Sequence, residues 1–189
     1  MFDPKSAERV NIMTGFFTGG FVHLEKKWAS KAYPDNESYQ VTALFQDQKD
    51  LIPFEKAVDR VYPIAERTAA FKHPIKSNDE AWKDKPMPEG FRPGQRHIVF
   101  KTQDIPQVLD TSMKPIPRTR DVVYSGCIFK ASVNSFCYAG GVSFWLEYII
   151  KCADGEKLGG VSAEERFKGV ELNYNPLDSG VGMGSSQYL

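Results

Sequence analysis

A chain of 189 residues with 41% hydrophobic and 25% charged side chains can bury a core of its own, and none of its apolar runs nears the ~20 residues that cross a bilayer as a helix. Lysine plus arginine and aspartate plus glutamate both number 24, and the resulting zero net charge argues against a bulk polyanion binder. The distribution is uneven: residues 153–189 hold six acids and three bases, so that segment is −3 and residues 1–152 are +3. The opening "MFDPKSAERV" has no basic stretch leading into an apolar one, so no secretory signal is expected, and a cytoplasmic location follows. The three cysteines, Cys127, Cys137 and Cys152, have neither an even count nor C-x-x-C spacing. They read as small buried hydrophobes in a reducing compartment, without disulfide or zinc.

In chain order, "RVNIMTGFFTGGFVHL" (9–24) reads as a long strand or strand pair bent at its glycines. "EKKWASKAYPDNES" is a polar loop, and "YQVTALFQ" (39–46) alternates as a half-buried strand. The period then changes: Leu51, Phe54, Val58, Val61 and Ala65 predict a helix, with Asp50 as N-cap, Pro53 in the first turn and Pro63 splitting its far end. No other segment has convincing helical spacing. Residues 72–96 hold four prolines and predict a long polar loop. "HIVFK" (97–101) is a short strand and a second Pro-rich connector follows it.

"DVVYSGCIFKASVNSFCY" (121–138) and "GGVSFWLEYIIKC" (140–152) predict two strands joined by a glycine turn. The last stretch, "NYNPLDSGVGMGSSQYL", predicts a flexible tail, with 1–167 as the domain and 168–189 as the tail. Strands, one helix, then strands suit a mainly β fold: a small antiparallel barrel with one inserted helix and long Pro-rich loops, or alternatively a two-sheet sandwich.

Catalytic chemistry is absent from the pattern. There is no phosphate-binding G-x-x-x-x-G-K-[ST] loop and no G-x-S-x-G elbow. His23, His73 and His97 lack metal-ligand spacing, and Glu164 with Glu165 reads as a solvated face. The expectation is a non-enzyme with no cofactor and no metal.

The informative stretch is 121–138. One alternate set (Val123, Ser125, Cys127, Phe129, Ala131, Val133, Ser135, Cys137) is small and mostly apolar, as a packed face should be. The other carries Tyr124, Lys130, Asn134, Phe136 and Tyr138. That second set reads either as a second core face or as a stacking platform. A lysine and an amide among the rings favour the platform, because an unpartnered buried lysine is costly. Rings stack on bases, lysines neutralise phosphates, and an amide bonds base edges. The same mixture recurs at Lys26, Lys27 and Trp28, at His97 and Lys101, and at Arg92 and Arg96. Trp82, Lys83 and Lys85 read as surface charge in a loop.

"YSGCIFKASVNSFCY" resembles the pattern Y-S-G-x-x-x-x-A-S-[VI]-N-x-x-x-Y of bacteriophage single-stranded DNA-binding proteins with an OB fold, and "DGEKLGGVSAEERF" resembles that family's D-G-E-x-L-G-G block. "PIKSND" and "PQVLD" fall in the family's order, and "TGFFTGGFVHLEKKW" is loosely similar to its opening strand. The resemblance covers roughly residues 9–167 and implies a non-catalytic OB-fold binder that coats ssDNA in phage replication or recombination, in the host cytoplasm. Its partners would be ssDNA and replication or recombination proteins, with no membrane, and an assembly of identical subunits is compatible with it. The contacts read from the residues are Lys26, Lys27, Trp28, Arg92, Arg96, His97, Lys101, Tyr124, Lys130, Asn134, Phe136 and Tyr138. Two departures stand out. From Leu172 on the only acid is Asp178, where many such proteins carry a strongly acidic tail; and "SFWLEY" is bulkier than the family's residues there, with Trp145 read as packing. The competing reading is a phage-type structural β-sandwich whose aromatic face is a subunit interface.

Overall fold

The computed structural model describes residue 3 and residues 7–159. Glu164, Glu165, the expected boundary at 167 and the expected tail lie outside the described residues.

Eight strands form one sheet that closes on itself. They are β1 (Asn11–Met13), β2 (Phe17–Trp28), β3 (Ser38–Leu44), β4 (Ile75–Ser77), β5 (Arg96–Thr102), β6 (Val108–Leu109), β7 (Ile128–Tyr138) and β8 (Gly141–Ala153). Pairing runs β7–β2–β3–β5–β8 and returns from β8 to β7, which makes a five-stranded barrel. This is the OB-like barrel and not the sandwich. It is mixed where an antiparallel barrel was expected: β5 and β8 run parallel, with Phe100 opposite Phe144 and Lys101 opposite Trp145. Parallel partners cannot be joined by a hairpin, and here the chain makes β7 before β8 closes the barrel.

β1 and β2 are two halves of one broken strand, both on the same edge of β7. The break falls at Thr14–Phe16, where Thr14 keeps the pairing by exchanging backbone and hydroxyl hydrogen bonds with Ala131. β2 runs on to Trp28, through residues expected to be loop.

The helix α1 (Ile52–Val61) buries Phe54, Ala57, Val58 and Val61, as its spacing requires. A 3₁₀ turn (Gln48–Leu51) precedes it. That turn is capped by Asp47, whose carboxylate accepts from the Lys49 N–H; Asp50, the expected cap, stands inside it. The helix ends before Pro63, which has no N–H to continue the ladder. Ala65, expected on the buried stripe, is exposed beyond that end. Phe54 packs on Phe45, Phe100 and Phe144 at centroid distances of 5.9, 5.6 and 5.1 Å, and Phe17 meets Phe45, Phe100 and Phe129. Six fully buried phenylalanines therefore plug the barrel, each contributing on the order of 2 kcal/mol of burial free energy.

The stretch expected to be a structureless loop carries β4 and a short helix, α2 (Asn78–Ala81), capped by the Ser77 hydroxyl. This lobe folds back over one end of β5, with Lys76 opposite His97.

Candidate nucleic-acid interface

β7 has the alternation its sequence predicts. Phe129, Ala131, Val133, Ser135 and Cys137 are buried, while Lys130, Asn134, Phe136 and Tyr138 point away from the core. Phe136 is 45% exposed although it is a large apolar ring. Beside it, β1 and the strand break present Met13 and Phe16, exposed by 65% and 59%. The Lys130 ammonium sits 4.3 Å from the Phe16 ring centroid. A cation over an exposed ring holds both in place without neutralising either.

Register aligns a polar and aromatic row on the side of the sheet away from the core, in which only Gln40 is buried. Asn11 lies opposite Asn134, Asn134 opposite Trp145, Trp145 opposite Lys101, Lys101 opposite Gln40, and Gln40 opposite His23. Neighbouring strands are ~4.8 Å apart, so the row crosses six strands. Trp145, expected to pack, stands half-buried in its middle. The Lys101 ammonium is held below its ordinary value by desolvation and by Lys76, so two cations share this surface.

At the far end of β2 the His23 and Trp28 rings stack at 5.2 Å and 12°. Trp28 is 44% exposed and Lys26 and Lys27 are exposed beside it. Lys27 and Arg118 flank the Tyr39 ring at 5.8 and 5.5 Å, and Arg118 also donates to the Leu24 carbonyl.

Four expected contact residues have other surroundings. His97 is only 5% exposed, covered by Phe91 at 5.3 Å. Its Nδ1 lies 2.7 Å from Asn78 Oδ1, and the Asn78 amide nitrogen donates to the Arg92 carbonyl, so Oδ1 accepts and Nδ1–H donates. Burial and then the Lys76 charge lower His97 to about 4. Arg96 pairs with Glu55 of α1 at 2.5 Å. Arg92 is exposed on the lobe.

Tyr124 is not in a strand at all, because residues 121–127 form turns. Gly126 has φ +115, and a Cβ there would lie inside the van der Waals shell of the Glu156 carbonyl oxygen. The Tyr124 hydroxyl donates to Asp154 Oδ1 at 3.0 Å or to the Gly155 carbonyl at 3.1 Å. Burial and then the Asp154 hydrogen bond push the phenol up to about 12.

Some rings were missed by sequence reasoning. Phe21, Trp82 and Phe91 form a triangle with centroids 5.4–6.0 Å apart, and Lys85 stands 4.2 Å over Trp82. Phe16, Phe21 and Tyr148 are exposed. The available signal was the doublet Phe16–Phe17: adjacent strand residues face opposite ways, so one of the two had to point outward. Tyr148 gave no such signal, because an extra residue in β8 turns it outward.

The barrel carries a cleft toward each end of β7. One, about 360 Å³, lies between Glu89–Arg92 and the segment Gly155–Leu158. The other, about 370 Å³, is lined by Arg9, Gln107, Asn134, Trp145, Glu147 and Tyr148 among others. Among the described residues no group of three or more His, Cys, Asp or Glu side chains comes together, and no helix is long and apolar enough to cross a membrane.

The family model described as "Enterobacter phage Enc34, ssDNA-binding protein" matches residues 29–176. Among solved structures, the single-stranded DNA-binding protein from bacteriophage Enc34 in complex with ssDNA aligns with a TM-score of 0.56 at 19% identity, over 80% of this chain and 89% of that one. The single-stranded DNA-binding protein encoded by bacteriophage T7, gp2.5, aligns with a TM-score of 0.54 at 14% identity, over 89% of this chain and 98% of that one. At these identities the structural likeness speaks to the fold. No curated protein matches the sequence.

Proposed function

Since this chain belongs to the family of the Enterobacter phage Enc34 ssDNA-binding protein, a family of non-catalytic binders, we propose that it coats ssDNA across the outer face of its barrel during phage replication or recombination, in the host cytoplasm. Phe136, Tyr138 and Trp28 stack bases there. Lys26, Lys27, Lys101, Lys130 and Arg92 follow the phosphates, and Asn134 bonds a base edge or sugar. His97, Arg96 and Tyr124 support this surface from below and from its ends.

The observation that carries the reading is the registered row through Lys101, Trp145 and Asn134, flanked by the exposed Phe136 and by Phe16 under Lys130. Exposed apolar rings grouped on one face mark an interaction surface, and each stacked base contributes roughly 1–3 kcal/mol.

Titration with oligo-dT at two salt concentrations, read by tryptophan fluorescence, tests this. The expected result is quenching with log K falling by about 0.7 per phosphate contact for each decade of salt. Unchanged fluorescence and no salt dependence at micromolar protein would overturn it.

A further inference from the structure

We propose that the cleft between Trp145 and Tyr148 is a pocket for one unstacked nucleobase, and that it favours bases carrying an exocyclic amine over thymine. This rests on the ssDNA reading above and adds a base preference to it.

The cleft exists because of a bulge. β7 and β8 pair residue for residue from Tyr138 opposite Gly141 to Val133 opposite Leu146; then Ser132 faces Tyr148, so Glu147 is an extra residue. Strict alternation would send Tyr148 to the core side with Phe144 and Leu146. The extra residue instead leaves Trp145, Glu147 and Tyr148 all outside, and Ile149 buried. Tyr148 is consequently 51% exposed. At about 370 Å³ the cleft falls within the ~300–1,000 Å³ typical of small-molecule sites.

Its polar lining is specific. Glu147 Oε2 accepts from Ser132 Oγ at 2.8 Å and from Asn11 Nδ2 at 3.3 Å. Asn11 Nδ2 also donates to Asn134 Oδ1 at 3.0 Å. These bonds orient the carboxylate and the amide, and leave Glu147 Oε1 and Asn134 Nδ2 without a partner among the described residues. A free carboxylate oxygen and a free amide N–H, both tied to Asn11, thus belong to a lining that also holds Trp145, Tyr148, Arg9, Asp104 and Gln107.

A carboxylate on a DNA-binding face repels phosphate, so the backbone must pass elsewhere, over Arg9, Lys101 and Lys130. What Glu147 can accept is a base N–H. Cytosine and adenine offer an amine next to a ring nitrogen that Asn134 can donate to, and guanine offers two adjacent N–H groups. Thymine offers one N–H flanked on both sides by carbonyl oxygens; Asn134 can donate to one of them, and the carboxylate repels the other.

The test compares oligo-dC and oligo-dT of equal length on the full chain at neutral pH. The wild-type dC-to-dT affinity ratio should fall about two- to tenfold in Glu147→Ala, with oligo-dT binding equal or tighter. Tyr148→Ala, which removes no hydrogen bond of the network, should weaken oligo-dC more than oligo-dT and so keeps the test valid if Glu147→Ala fails to fold. A ratio unchanged in either folded variant overturns the pocket while leaving ssDNA binding intact. Loss of binding to both homopolymers in the wild type overturns the parent reading instead.

Discussion

The Tyr124 hydroxyl lies within hydrogen-bonding distance of the Asp154 carboxylate, 3.0 Å away, and joins the two sequence blocks that resemble the phage family most. Around this contact the Leu158 N–H donates to the Ser125 carbonyl, Gly126 lies against Glu156, and Leu158 lies over Gly90. The Y-S-G and D-G-E-x-L-G motifs are therefore the two halves of one clasp. It stands at the opening end of β7, about 26 Å along the strand from Phe136 at ~3.3 Å per residue. Part of what made the family legible is therefore a structural clasp, while Asn134 and Tyr138, at the far end of the first motif, lie on the proposed binding face.

Tyr124→Phe removes the hydroxyl and keeps the ring that Lys151 and Lys157 approach at 5.6 and 5.1 Å. The expected cost is about 1 kcal/mol of stability, with ssDNA affinity unchanged. Thermal melting and fluorescence anisotropy check the two halves separately; a large loss of affinity at constant stability would put Tyr124 on the DNA.

Gly126→Ala should be much worse. A side chain there is strained at φ +115 and displaces the Glu156 carbonyl, a loss of at least ~2 kcal/mol. Limited proteolysis should then cut within 154–159, which the wild-type clasp protects.

Phe136→Ala should weaken ssDNA binding by ~1–3 kcal/mol while the melting temperature stays within a degree or two, since the ring contributes little to the core. Lys130→Ala should reduce the salt slope by about 0.7 if its ammonium meets one phosphate. An unfolded Phe136→Ala variant would show that the ring is core after all.

The pH dependence of stability follows from His97. Its folded value of about 4 lies below the unfolded 6.5, so between these values the unfolded chain binds the proton and the folded one does not. The contribution is complete above pH 6.5 and is lost as pH falls toward 4. After allowance for solvent screening this amounts to about 2 kcal/mol. His23, lowered by burial and by Arg120, acts in the same direction. Denaturant midpoints between pH 7 and 5 should fall, and His97→Asn, which preserves a donor toward Asn78, should flatten that slope.

Strand alternation in β7, the buried stripe of α1 and the stop at Pro63 could be read from residue order because each is a local rule: a period of 2, a period of 3.6, a missing N–H. The face carrying Lys130, Asn134, Phe136 and Tyr138 followed from that period alone. The family followed from two short motifs. Tertiary structure decided the rest, because it depends on which distant strands meet. Parallel closure of β5 on β8 set Lys101 beside Trp145. The lobe over β5 buried His97, which residue order had left on the surface. Gly126 turned the chain before β7 and carried Tyr124 away from the platform. The extra residue at Glu147 reversed the face of Tyr148. A period says which residues share a face; only pairing register, where one added residue inverts every side chain beyond it, says what that face meets.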